Sequence, residues 1–170
     1  MSVSLIIGGA RSGKSRYAEE LASQDGEAVC YVATALAFDK EMEERILHHQ
    51  ARRPAQWTLH ECPLALPQLL SVEAKKEQTI LVDCLTMWVN NQIYENPTQD
   101  FSQLFLSLSD SVVDAKAHVI FVANEVGLGI IPLGEITRQF VDEAGRLNQQ
   151  IAKLADKVRF MVAGLPLALK

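Results

Sequence analysis

Short apolar runs alternate with longer amphipathic segments along the chain. Runs of four to six residues rich in valine and isoleucine predict buried β-strands at residues 3–7, 28–32, 79–82, 118–123 and 158–162. A weaker run predicts a peripheral strand at residues 57–60, and another predicts an edge strand at residues 167–169, after a proline.

Segments with helical spacing of apolar positions separate these strands. They predict helices at residues 14–23, 39–51, 64–71, 85–94, 101–115 and 134–155. Because strands and helices alternate, and because no repeat or long linker interrupts them, we expect one α/β domain over residues 1–170. Its sheet should be mostly parallel and flanked by helices.

The composition narrows the class of protein. The chain has 170 residues, of which 48% are hydrophobic and 22% charged, with a formal net charge of −5. Because acidic residues outnumber basic ones and no cluster of basic residues stands out in the sequence, we expect no nucleic-acid partner. Three cysteines without a C-x-x-C pair predict reduced thiols. With neither a targeting segment nor a bilayer-length apolar run, we expect a cytoplasmic protein without membrane insertion.

A glycine-rich segment provides the strongest chemical signal. Residues 8–15 read GGARSGKS and fit the P-loop pattern G-x-x-x-x-G-K-[ST], between a predicted strand and a predicted helix. In this motif backbone N–H groups surround phosphates, the lysine reaches the terminal phosphates and the last hydroxyl binds Mg²⁺. A chance glycine-rich turn is the alternative. The predicted nucleotide-binding residues are Gly8, Gly9, Ala10, Arg11, Ser12, Gly13, Lys14 and Ser15.

An aspartate follows one of the apolar strands. Asp83 ends the run Ile-Leu-Val-Asp, which places it at the carboxyl edge of a parallel sheet, where ligands bind in open α/β folds. Such a carboxylate is a candidate second metal group beside the P-loop. Direct ligation, a metal-bound water and contact with the nucleotide all remain open. The alternative is that Asp83 caps the helix that begins near Leu85.

Two adjacent histidines lie near the end of the helix predicted at residues 39–51. His49 continues the apolar face set by Ile46, whereas His48 points about 100° away. Arg52 and Arg53 follow, and arginine is suited to phosphate recognition. A neutral imidazole beside them could attack an α-phosphate and carry a nucleotidyl group. Alternatively, His49 is a core residue and the arginines are solvated.

Several further segments combine with the P-loop into a more specific pattern. They are GGARSGKSR at 8–16, YVAT at 31–34, HH at 48–49, RPA at 53–55, EC at 61–62, NEVG at 124–127 and AGR at 144–146. With these segments the chain resembles, nearly end to end, the bifunctional adenosylcobinamide kinase/adenosylcobinamide-phosphate guanylyltransferase family of cobalamin synthesis. The resemblance implies a RecA-like P-loop fold and a homotrimer.

The resemblance also implies two reactions. ATP or GTP phosphorylates the hydroxyl of adenosylcobinamide; GTP then guanylylates a histidine, and GMP moves to the new phosphate to give adenosylcobinamide-GDP, with pyrophosphate released. Matching the motifs assigns the role of the guanylylated nucleophile to His49. Catalytic roles also fall to its neighbour His48 and to Lys14. Mg²⁺ would bind Ser15 and Asp83. The remaining nucleotide-binding positions are Thr34, Ala35, Leu36, Gln50, Ala51, Arg52, Arg53, Glu61 and Asp83.

The sequence departs from the family pattern in places. Relatives often have Lys-Asp-Gly-Arg-Pro after the histidine pair, where this chain has Gln-Ala-Arg-Arg-Pro at 50–54. Ala35 and Leu36 are less polar than in relatives, and some relatives have glutamate at the position of Asp83. The role of Glu125 is open between contact with substrate or metal and support of a turn.

Rival functions predict different features. A small-molecule P-loop kinase without guanylyltransferase activity would use the histidines only structurally. A guanine-nucleotide switch usually carries an Asn-Lys-x-Asp loop, and no asparagine here precedes a lysine. A RecA-like ATPase acting on DNA would need the basic surface that the composition lacks.

Overall fold

Seven strands form one sheet in the computed structural model, which describes residues 2–24, 28–36, 40 and 54–170. In chain order the strands are β1 (Ser2–Gly8), β2 (Val29–Ala33), β3 (Thr58–Glu61), β4 (Thr79–Asp83), β5 (His118–Asn124), β6 (Lys157–Val162) and β7 (Leu165–Ala168). Their order across the sheet is β3-β2-β4-β5-β1-β6-β7. All neighbours are parallel except β6 and β7, which confirms the predicted mostly parallel sheet.

Five helices are described. They are α1 (Lys14–Gln24), α2 (Leu66–Glu73), α3 (Leu85–Glu95), α4 (Phe101–Val113) and α5 (Glu135–Leu154). Each was predicted, although α2 begins two residues later than expected, because Pro67 occupies its first turn. The helix predicted at 39–51 lies almost wholly outside the described residues. Among the described residues, no helix combines the length and the apolar character needed to cross a bilayer.

The two edge strands confirm the weaker sequence signals. β3 is largely exposed, and every residue of β7 is exposed. β7 begins two residues earlier than predicted because a two-residue turn starts the hairpin at once. In that turn Ala163 and Gly164 have φ of 51° and 81°, as a tight hairpin requires. Pro166 is tolerated because an edge strand can lack one backbone donor.

Helices cover both faces of the sheet. The larger core lies between one face and α2, α3, α4 and α5, and it contains alternate strand residues such as Val82 and Phe121. On the other face, residues such as Leu81 and Ile120 pack against α1. The three cysteines are free, as the predicted reduced thiols require, and all three are buried. Burial on both faces explains why the central strands read as continuous apolar runs.

An aromatic cluster within the larger core provides a test of this packing. The Phe105 ring, 2% exposed, lies 6.3 Å from that of Trp88 and 5.9 Å from that of Phe101. Phe105→Ala should lower the free energy of unfolding by about 3–5 kcal/mol, measured by urea denaturation. Leu106→Ala is the matched control, because Leu106 is 50% exposed and should change stability by about 0.5 kcal/mol at most. Equal losses in the two variants would contradict the orientation of α4.

Candidate nucleotide-binding site

The predicted P-loop connects a central strand to the first helix. β1 ends at Gly8, α1 begins at Lys14, and the intervening loop lies at the carboxyl edge of the sheet. The loop turns through a Ser12 N–H bond to the Gly9 carbonyl at 3.3 Å, and it contains positive φ angles at Arg11 (53°) and Gly13 (93°). The predicted strand–loop–helix arrangement is therefore confirmed.

Neighbouring strands fix the shape of this loop. A Cβ at Gly8 would lie 2.6 Å from the Met161 carbonyl oxygen, and one at Gly13 would lie 3.3 Å from the Gly164 Cα. The Gly164 N–H also donates to the Ser12 carbonyl at 3.1 Å. The β6–β7 hairpin thus supports the P-loop from one side, a role for Gly164 that sequence reasoning missed.

Lys14 is folded back onto its own loop. The Lys14 residue is buried, with 7% of its surface exposed. Its ammonium donates to the Gly9 carbonyl at 2.6 Å and contacts the Ser12 hydroxyl at 3.5 Å. Burial lowers the pKa of Lys14, while negative charge at Cys84 and at Asp83 acts in the opposite direction. The structure therefore brings a cation and the predicted carboxylate together beside the loop, as a site for anionic phosphates and a metal requires.

Asp83 stands at the end of β4 and is held there by an aromatic hydroxyl. Tyr31 donates to Asp83 Oδ2 at 3.0 Å across neighbouring strands. The alternative that Asp83 caps the following helix is wrong. The N-cap of α3 is Cys84, whose Sγ accepts from the Met87 N–H at 3.5 Å. Burial, followed by the Asp83 charge, raises the pKa of the Cys84 thiol to about 11, so this cysteine is a protonated cap at neutral pH.

Two oxygen ligands near the loop suit Mg²⁺. Ser15, half-buried in the first turn of α1, offers a hydroxyl, and Asp83 offers a carboxylate. The Tyr31 bond uses Asp83 Oδ2, and no described side chain bonds to Oδ1. Oxygen donors with an open position match the preference of Mg²⁺, which binds through one or two protein oxygens and substrate phosphates.

Thr34 joins two strands at the same edge. It is fully buried, its hydroxyl donates to the Cys84 carbonyl at 2.7 Å, and the hydroxyl accepts from the Cys84 N–H at 2.8 Å. The side-chain amide of Asn91 donates to the Thr34 carbonyl at 2.8 Å. The hydroxyl therefore connects β2 to the start of α3, whereas Ala35 is half-buried and Leu36 is exposed.

The last predicted position lies at the far side of the sheet. Glu61 is exposed at the end of β3, and four strand spacings separate β3 from β1. At about 4.8 Å a spacing, Glu61 lies roughly 19 Å from the P-loop strand. The remaining predicted residues lie outside the part of the chain that the structure describes. They are His48, His49, Gln50, Ala51, Arg52 and Arg53.

A hydrogen-bonded loop after β5 also meets the P-loop. The Glu125 N–H donates to the Gly8 carbonyl at 2.9 Å. The Glu125 carboxylate accepts from the Gly127 N–H at 2.6 Å, as the turn-forming alternative predicts. Thr86, which sequence reasoning missed, accepts from the Asn124 N–H at 2.7 Å. Only the fold brings Thr86 and Asn124 together, because 38 residues separate them.

The two adjacent loop glycines should respond differently to a methyl group. Gly8→Ala should lower the free energy of unfolding by about 1–3 kcal/mol because the new Cβ meets backbone. Gly9→Ala is the matched control, because a Cβ there meets nothing within 4 Å and restricts the unfolded chain, so it should be neutral or stabilise by up to about 1 kcal/mol. Thermal and urea unfolding would measure both. A Gly8→Ala variant as stable as Gly9→Ala would contradict the close approach of β6.

The fold and site define a P-loop nucleotide-binding domain of the RecA-like type. Similar solved structures include the flagellar accessory protein FlaH from Methanocaldococcus jannaschii, with TM-score 0.56 and 17% identity, covering 99% of this chain and 78% of that one. Another is the RadB recombinase, with TM-score 0.52, 15% identity and coverage of 94% and 73%. At these identities the likeness concerns the fold alone.

Closer relatives identify the family. Residues 4–169 match the family described as cobinamide kinase / cobinamide phosphate guanyltransferase. The chain is 50% identical to the bifunctional adenosylcobalamin biosynthesis protein CobP of Pseudomonas aeruginosa, covering 98% of this chain and 96% of the relative. It is 38% identical to CobU of Salmonella typhimurium, with 98% of each covered. The chain belongs to this family, which confirms the resemblance seen in its motifs.

Proposed function

We propose that this protein phosphorylates adenosylcobinamide with ATP or GTP and then transfers GMP from GTP onto the product, releasing pyrophosphate. The observation that best supports this function is the family match over residues 4–169. The P-loop of this chain also has the strand–loop–helix form that the motif requires. The bifunctional names of both relatives support this function over that of a kinase without guanylyltransferase activity.

The P-loop supplies the triphosphate site of the proposal. Its backbone N–H groups and the start of α1 favour negative charge. The Lys14 ammonium, now bonded to the Gly9 carbonyl at 2.6 Å, would turn from that carbonyl to phosphate oxygens. The residues assigned to this role are Gly8, Gly9, Ala10, Arg11, Ser12, Gly13, Lys14 and Ser15.

Mg²⁺ would be held by the Ser15 hydroxyl and the Asp83 carboxylate. The ion would neutralise phosphate charge when bound. The protein's own contribution is positioning: Tyr31 orients the Asp83 carboxylate through its 3.0 Å hydrogen bond, and α1 fixes Ser15 in its first turn.

His49 is the proposed nucleophile of the second reaction. Its neutral imidazole nitrogen would bond to the α-phosphorus of GTP while the bond to pyrophosphate breaks. A phosphate oxygen of adenosylcobinamide phosphate would then attack the same phosphorus, and the bond to histidine would break. His48 would position its neighbour, and Gln50, Ala51, Arg52 and Arg53 would line the nucleotide.

Positions further along the sheet edge would contact the rest of the nucleotide. Ala35 and Leu36 follow Thr34 beyond the end of β2 and reach the surface more than Thr34 does. Thr34 would therefore contribute through the strand end that its hydroxyl fixes. Glu61, exposed on β3, would accept hydrogen bonds from groups far from the phosphates.

We also propose that the protein is a homotrimer in the cytoplasm. We further propose that it binds the corrinoid on an apolar surface. The segment after β5 exposes large aliphatic side chains, and exposed patches of this kind mark interaction sites. Its exposed residues are Leu128, Ile130, Ile131, Leu133 and Ile136.

The histidine assignment predicts a covalent GMP–protein adduct. Incubation with α-labelled GTP and Mg²⁺ should label the wild-type protein, and the label should resist base and be released by acid, as a phosphoramidate is. His49→Ala should abolish labelling, whereas His48→Ala should retain it at a lower rate. Labelling of His49→Ala at the wild-type rate would show that another residue is the nucleophile.

The P-loop assignment predicts that one lysine serves both reactions. Lys14→Met keeps an apolar stem of similar length but removes the cation, so kinase and adduct formation should each fall by at least about 100-fold. Lys75→Met is the matched control, because Lys75 is an exposed lysine beyond α2. Transfer from γ-labelled ATP to adenosylcobinamide measures the first reaction. An unchanged rate in Lys14→Met would exclude the P-loop from the kinase step.

A further inference from the structure

Three side chains with metal-binding chemistry converge away from the nucleotide site. Cys30 on β2, His60 on β3 and Glu73 at the end of α2 each offer one ligand atom, and these atoms all lie within 4.8 Å of one another. Cys30 is 1% exposed, Glu73 is 8% exposed and His60 is half-buried. Sequence reasoning missed this cluster, because the three residues share no short spacing.

The sheet and one helix produce this juxtaposition. β2 and β3 pair in parallel with Cys30 opposite Thr58 and Val32 opposite His60. Cys30 and His60 are thus diagonal neighbours across the two strands, and alternate residues share one face. Glu73 comes from α2, which packs on the face that contains Cys30. Three ordered elements therefore deliver one ligand each.

The cluster is separate from the phosphate site. Cys30 is the second residue of β2, four residues before Thr34 at the carboxyl edge. At about 3.3 Å a residue, roughly 13 Å of strand separates the two positions. The nucleotide chemistry proposed above uses none of the three cluster residues.

The ligand types favour a particular class of ion. A thiolate, an imidazole and a carboxylate together suit Zn²⁺, whereas Mg²⁺ and Ca²⁺ prefer oxygen alone. Zinc bonds of about 2.0–2.3 Å in a tetrahedron would hold these ligand atoms roughly 3.3–3.6 Å apart. Adjustment of about one ångström would close the cluster around an ion, with water as the fourth ligand.

Hydrogen bonds around Glu73 leave room for such an ion. Lys76 Nζ donates to Oε1 at 2.6 Å and to Oε2 at 2.8 Å, and Gln78 donates to Oε2 at 3.0 Å. An ionised carboxylate offers about four lone-pair sites, so one remains on Oε1. The Lys76 side chain is 57% exposed, so its ammonium can turn to water when a divalent cation takes its place.

We propose that Cys30, His60 and Glu73 form a zinc-type metal site that ties the edge strand β3 to β2 and α2. Binding would place one divalent cation against the three ligands and one water, and it would release the thiol proton to solvent. The site would be structural, because it joins three elements and lies apart from the phosphates.

Metal titration of the full chain tests this site. Reduced protein freed of metal with a chelator would be titrated with Zn²⁺ in competition with a chromophoric chelator. We expect one equivalent bound, and an affinity at least about 100-fold weaker in Cys30→Ser and in His60→Gln, since each removes a ligand. Cys62→Ser is the matched control, because Cys62 is also a buried thiol in the larger core and should bind as wild type does.

Two further measurements keep the test decisive. Co²⁺ in place of Zn²⁺ should give a thiolate charge-transfer band in the wild-type protein, which needs no variant to fold. The His48→Ala/His49→Ala double variant should retain Zn²⁺ binding if these adjacent histidines are not the ligands. The absence of stoichiometric Zn²⁺ binding, a Co²⁺ spectrum without the thiolate band, or loss of binding in the double variant would each overturn the proposal. None of these outcomes depends on nucleotide or corrinoid turnover.

Discussion

The close approach of backbone around the P-loop is the constraint on which the site depends. β1 lies between β5 and β6, so the loop that follows it is surrounded at once by the ends of both neighbours. The Glu125 N–H bonds to Gly8 on one side, and the Gly164 N–H bonds to Ser12 on the other. A phosphate cradle needs N–H groups fixed before the ligand arrives, since ordering them on binding would cost affinity. The parallel sheet provides that order.

Some parts of the fold and the site could be predicted from the sequence, and others could not. The P-loop was predictable because its glycines, lysine and hydroxyl are local requirements at fixed spacing. The strands and most helices were predictable because burial on both faces makes the central strands continuously apolar. The helix cap was not predictable: both Asp83 and Cys84 precede α3, and an aspartate is normally the better cap. In the structure the Asp83 carboxylate accepts from Tyr31 on the adjacent strand, and Cys84 occupies the cap position.

Other parts of the site were out of reach because they depend on contacts between distant segments. Thr34 was assigned by its motif, yet its hydroxyl bonds to the backbone of Cys84, 50 residues away. Thr86 and Gly164 carry no motif, and their hydrogen bonds to Asn124 and Ser12 follow only from the strand order. Parallel strands pair across long crossovers, so sequence proximity says little about which side chains meet at their ends.

The strand order also bears on how one site could serve two reactions. From the P-loop outward, the proposed contacts follow one edge of the sheet: Gly8 on β1, Asp83 on β4, Thr34 after β2 and Glu61 on β3. One nucleotide lying along this edge with its terminal phosphates at the P-loop would direct its base toward β3. The γ-phosphate would then lie at Lys14, and the α-phosphate would lie nearer to β4 and β2. Attack at the γ-phosphate and attack at the α-phosphate would therefore occur at different places along the edge. A single bound orientation could present both phosphorus atoms, provided that His49 approaches from the β2 side and the corrinoid hydroxyl approaches from the P-loop side.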